Sequence, residues 1–131
     1  MLNALVRSAL VAYYPRTAAM PGVEDCGVDA FIEKVRAETT MLMWIGIVAS
    51  ALAFQLTPIM TVFVPLPAFL LTPAARDRHA HAISTTKIYL LRQIIFVARM
   101  IGGLCWGTHP DVRKHFALPP LGPDPGTWRT S

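Results

Sequence analysis

No side chain from Thr39 to Ala75 carries a charge, and that stretch constrains the fold more than any other part of the chain. It opens TTMLMWIGIVASALAFQLT and continues PIMTVFVPLPAFLLTPAA. Residues 40–56 contain no proline and favour a helix. At about 1.5 Å per residue that helix is roughly 25 Å long, short of a ~30 Å bilayer core. Pro58, Pro65 and Pro67 then break the pattern, since each lacks a backbone donor and biases its predecessor away from α. Residues 57–71 therefore read as an apolar loop with short turns. In lipid, its unpaired backbone groups would each cost several kcal/mol, whereas protein can satisfy them. Burial against protein is favoured, and a membrane anchor through 40–71 is the alternative.

The rest of the chain is helical by spacing. Leu2, Leu5, Val6, Leu10 and Tyr13 place a first helix before Pro15. Residues 15–27, PRTAAMPGVEDCG, read as a loop. In 28–38, Val28, Phe31, Ile32 and Val35 share one face opposite Asp29, Glu33, Lys34 and Arg36. Thr72 and Pro73 are an N-cap and first helical residue, opening a polar, exposed helix over 73–83 that Ser84, Thr85 and Thr86 end. Residues 87–106 form a helix apolar almost all round, with Ile88, Leu91, Ile95, Ala98 and Leu104 innermost. Such a helix is expected to be buried on more than one side. A short helix follows Pro110. No alternating strand pattern and no repeat is present. The expected fold is all-α: a small irregular subunit of about five helices over 1–118, with a Pro-rich carboxyl-terminal arm over 119–131.

Composition limits the role. The chain is 53% hydrophobic and 15% charged, against about 25% charged in typical soluble domains. A polypeptide this small buries only about two-thirds of its unfolded surface, so oily surface is left for something else to cover. Residues 1–38 hold four basic and five acidic side chains, and residues 76–131 hold eight and three. The basic residues are scattered and not interleaved with aromatics, which argues against nucleic acid. In a membrane-anchored protein this asymmetry would put the carboxyl half in the cytoplasm. The amino terminus does not read as an export signal, which favours a cytoplasmic or membrane-associated location, or export carried by a partner.

Chemistry is sparse. His79 and His81 point about 200° apart on a helix and have no carboxylate or thiol at ligand spacing, so they read as exposed histidines and not as a metal site. His109 and His115 lack a nucleophile in a recognisable setting. Glu24 and Asp25 read as caps for the helix at Val28. Cys26 and Cys105 form no metal framework and read as small buried hydrophobes. Gly102 and Gly103 lack a dinucleotide-binding context and instead loosen the helix or permit close approach. A free-standing enzyme is the least favoured class.

Two patches carry a resemblance. PRTAAMPGVEDCGVDAFIEKVRAE (15–38) resembles the opening of the small helical subunits associated with glucose–methanol–choline flavin oxidoreductases. These include the gluconate 2-dehydrogenase subunit 3-like proteins and the helical amino-terminal region of long-chain alcohol oxidases. Residues 69–120 resemble the same group through Phe69, Thr72 and Pro73, Arg76, Ser84, Leu91 and Arg92, Trp106, and His109 to Val112. The middle helix departs from the group, where it usually bears some charge. The resemblance implies a non-catalytic accessory subunit that packs on a large flavoprotein acting on CH–OH groups. FAD and the active site would lie on the partner, with no cofactor or metal in this chain. The small chain would stabilise the flavoprotein and shape access for an apolar substrate or dock an electron acceptor. The expected contact residues are Trp44, Phe54, Phe63, Phe69, Arg92, Arg99, Trp106 and Trp128.

Overall fold

The computed structural model describes residues 1–123, and Trp128 lies outside them. Among the described residues the chain is all-α, with no strand. Its helices are α1 (Leu2–Tyr13), α2 (Val28–Glu38), α3 (Met41–Leu56), α4 (Pro58–Thr61), α5 (Pro73–Ser84), α6 (Tyr89–Trp106) and α7 (Pro110–His115). Single 3₁₀ turns occupy Val23–Cys26 and Ala68–Leu70. Helices α3 and α6 pack along each other, α1 crosses both, and α2 and α5 flank α1.

Local chemistry sets the helix ends. The Thr40 hydroxyl accepts from the Met43 amide (3.2 Å) and the Thr72 hydroxyl from the Ala75 amide (3.2 Å), each satisfying one orphan donor of a first turn. Asp25 was expected to cap α2 but caps the 3₁₀ turn before it. Its carboxylate accepts from the Gly22 amide (3.1 Å) and pairs with Arg16, which holds it below the usual carboxylate range. Gly27 joins the turn to α2 at φ 66°, in the left-handed region that glycine enters without steric cost.

The core gathers Val6, Leu10, Val28, Ile32, Ile47, Phe54, Ile83 and Ile95. Close helix approach depends on small residues. The Ser50 hydroxyl accepts from the Ala98 amide of α6 at 3.1 Å. Where α1 meets α6, the Tyr14 ring lies so close to Gly102 that a Cβ there would stand 2.7 Å from it. The Tyr14 hydroxyl is pinned on the Arg99 carbonyl (2.8 Å), so the ring has no free route away. The two glycines therefore serve close approach.

Two expectations about helices fail. Helix α5 is not simply polar and exposed: Ala75, His79, Ala80 and Ile83 are buried. His79 is 0% exposed, so it is not a surface histidine. Helix α6 is not buried on several sides. Ile95, Ala98, Ile101, Gly102 and Cys105 make one inner face, while Ile88 and Leu104 are exposed. The reason is angular: the residues at 95, 98, 102 and 105 follow one stripe, and position 104 falls across the helix from it.

His79 closes a gap that proline opens. Pro58 has no N–H for the Phe54 carbonyl four residues before it. His79 Nε2 lies 2.7 Å from that carbonyl and donates to it, and its Nδ1 faces the Thr61 hydroxyl at 2.6 Å. Burial holds the imidazole pKa below its ordinary 6.5, and the Phe54 bond opposes that shift only in part.

Two measurements test these joints. His79→Phe leaves the Phe54 carbonyl without its donor and leaves the Thr61 hydroxyl only the Thr57 and Pro58 carbonyls at 3.4 Å, and should cost about 1–3 kcal/mol in denaturant unfolding. Because His79 is neutral in the fold and protonates near 6.5 when unfolded, its contribution is complete above 6.5. That contribution drains away as pH falls below 6.5 toward the folded pKa. His79→Gln should flatten that part of the pH profile. Gly102→Ala should cost about 1–3 kcal/mol, read as a lower Tm, by forcing Tyr14 out of place.

Candidate partner-docking surface

Side chains of this chain take up several backbone groups of the uncharged stretch. The Thr57 hydroxyl donates to the Ala53 carbonyl (2.7 Å), and His79 serves that of Phe54. Gln55 is buried, with its Oε1 accepting from the Phe69 amide (2.9 Å) and its Nε2 donating to Ser8 (3.1 Å). The Arg76 guanidinium donates to the carbonyls of Ala68 (3.3 Å) and Leu71 (3.1 Å). The 57–71 segment is thus tied to α3 and α5.

With its polar groups turned inward, the segment shows its apolar side chains to the outside. Leu56, Ile59, Met60, Phe63, Leu66, Phe69 and Leu70 are all exposed. Phe63 is the extreme case. Its ring is 85% exposed, and its backbone sits at φ 58°, a left-handed conformation that a bulky residue adopts only at a cost. The outer face of α3 continues the apolar surface with Leu42, Ile45 and Leu52, and that of α6 presents Tyr89, Leu90, Phe96, Met100 and Leu104. Isolated exposed hydrophobes are ordinary, but a run of this kind marks an interaction surface. Two concavities indent it. One of about 520 Å³ lies between Leu2, Arg36, Trp44, Ile45 and Leu52. The other, about 250 Å³, lies between Leu56, Ile59, Val64 and Leu66.

The expected contact residues separate into groups. Phe63 and Phe69 lie on this surface. Trp44 is mostly buried and reaches the surface only where it lines the larger concavity, whereas Phe54 is fully buried, its ring against Tyr13 (centroids 5.2 Å) and His79 (4.7 Å). They belong to the stripe of α3 that faces α1 and α6. Trp106 is also occupied internally. Its indole N–H donates to the Pro21 carbonyl (2.8 Å), and its ring stacks on Tyr14 (5.4 Å) and meets the edge of Phe116 (5.9 Å). Arg92 and Arg99 are exposed on one flank of α6, Arg92 above the Tyr89 ring and Arg99 beside Tyr13, Asp77 and His81. Sequence reasoning missed Leu42, Ile45 and Leu56, whose exposure depends on which stripe of α3 the core takes, and Met60 on α4.

No three His, Cys, Asp or Glu side chains come together among the described residues. Burial pushes the Cys105 thiol up to about 11 and raises that of Cys26, which suppresses the thiolate forms. Tyr13, pushed up to about 12 by burial, donates or accepts only within its contact to Ser84.

Comparison with family models, with curated proteins and with solved structures finds no match to this chain.

The surface and the core should respond differently to mutation. Phe63→Asn, which suits the left-handed backbone, should change unfolding free energy by less than about 0.5 kcal/mol and reduce self-association in light scattering. Phe54→Ala should cost about 3–5 kcal/mol.

Proposed function

We propose that this chain is a non-catalytic accessory subunit that docks through its apolar outer surface onto a larger protein. The observation carrying this reading is the set of exposed apolar side chains from Leu56 to Leu70, with more on the outer faces of α3 and α6, on a segment that Gln55 and Arg76 tie to the chain's own core. A segment tethered in this way has part of its ordering cost already met. Covering about 1,000 Å² of apolar area is worth on the order of 25 kcal/mol before association costs, enough to make the chain dependent on company. The resemblance of residues 15–38 and 69–120 to accessory subunits of glucose–methanol–choline oxidoreductases is what supports a flavoprotein of that group as the partner. On that reading the large subunit carries FAD and oxidises a CH–OH group, and this chain stabilises it and walls the approach of an apolar substrate.

A lipid surface is the second reading, favoured by one observation. Helix α6 is long and apolar enough to cross a membrane, and its outer face is uncovered. Against a full span, α6 bears Arg92 and Arg99, and its inner face packs on α1, α3 and α5. The 40–71 segment is a 16-residue helix followed by turns, tied to the same core.

The test is to purify the native complex under gentle conditions and record its visible spectrum. The expected outcome is co-purification with a protein showing a bound-flavin spectrum, together with release from membranes by alkaline carbonate. Leu56→Glu with Phe63→Asn should abolish co-purification while leaving the circular dichroism unchanged. Co-purification that survives these changes, or a partner without flavin, overturns the surface or the partner class respectively.

A further inference from the structure

The only two cysteines of the chain come from distant parts of the sequence and meet at one joint. The 3₁₀ turn Val23–Cys26 packs against the last turns of α6. There the Cys105 sulfur lies 3.8 Å from the Cys26 carbonyl oxygen, and the Cys26 sulfur lies 3.8 Å from that of Trp106. Each thiol thus reaches into the other's backbone segment. Both are free, Cys105 fully buried and Cys26 half-buried. The joint around them is already held by the Trp106 bond to the Pro21 carbonyl and by the Tyr14 ring on α6. The Cys26 thiol also reaches the Gly22 carbonyl at 3.4 Å, and neither thiol donates to a side chain.

We propose that Cys26 and Cys105 are a dithiol pair that closes into an intramolecular disulfide when the chain meets a small-molecule disulfide oxidant. The half-buried Cys26 reacts first. Its thiolate attacks one sulfur of the oxidant, forming a mixed disulfide, and the other half leaves as a thiolate that takes up a proton. Cys105 then loses its proton and attacks the Cys26 sulfur, expelling the second half as a thiol. Two protein thiols are oxidised by two electrons, and one oxidant disulfide is reduced to two thiols. The bridge fastens the 15–27 loop to the end of α6 and closes a loop of most of the chain. A long closed loop removes much of the unfolded chain's freedom, so oxidation strengthens the fold. The inference does not rest on the identity of the docking partner.

The test uses the full chain, in mild detergent or in its complex, equilibrated with oxidised and reduced glutathione in varied ratio. Samples are acid-quenched, alkylated under denaturing conditions and mapped by mass spectrometry. The expected result is an intramolecular Cys26–Cys105 linkage that forms before unfolding and is reversed by dithiothreitol. It should carry a Tm increase on the order of 10 °C. Cys26→Ala should leave Cys105 unmodified by glutathione, because the more accessible thiol that starts the exchange is gone. If both thiols stay free across the range, if they bridge only between chains, or if the linkage forms only in denaturant, the proposal fails.

Discussion

The Phe54 carbonyl ends the longest uncharged helix one turn before a proline that cannot serve it, and the fold depends on how that vacancy is filled. A histidine from another helix fills it, fully buried and held neutral. Gln55 and Arg76 do the same for the neighbouring turns. The three side chains anchor a proline-broken apolar segment that has no regular hydrogen-bond ladder of its own. Without them it would carry orphaned backbone groups inside a core, each costing as much as a lost hydrogen bond.

Once the polar groups of the segment face inward, its apolar residues have only two destinations. Some enter the core, as Ala68 and Leu71 do. The remainder face outward, because a chain of this size cannot enclose them all. The exposed oil on α3, on the 57–71 segment and on α6 is therefore the other side of internal satisfaction. A segment stitched from within is stiff enough to present an outer surface. Such a segment is well suited to recognition by shape.

Much of the fold was legible in the sequence. Thr72 caps as its position suggests, and the amphipathic stretch 28–38 is a helix with Val28 and Ile32 inward. The prolines at 58, 65 and 67 do divide the apolar stretch into turns. What escaped has physical reasons. Helix α5 looks polar because its buried stripe consists of two alanines, a histidine and an isoleucine, too weak an apolar arc to see against Arg76, Asp77 and Arg78. The signal for His79 was present but indirect: a carbonyl that a proline leaves without a donor requires one from elsewhere. In α3 nearly every position is apolar, so hydrophobicity could not say which stripe meets the core, and Trp44 and Phe54 went to the wrong side. The meeting of Cys26 with Cys105 is a tertiary fact with no local trace.

Arg76 is the first charged side chain after Glu38, and its guanidinium is spent on the carbonyls of the turn just before it. Hydrogen bonds to neutral carbonyls do not cancel its charge, so the uncharged 57–71 segment is edged by one cation held in a fixed place. On the proposed docking, an anionic group at the partner's rim would set the register of the two surfaces, while the apolar area supplies the affinity.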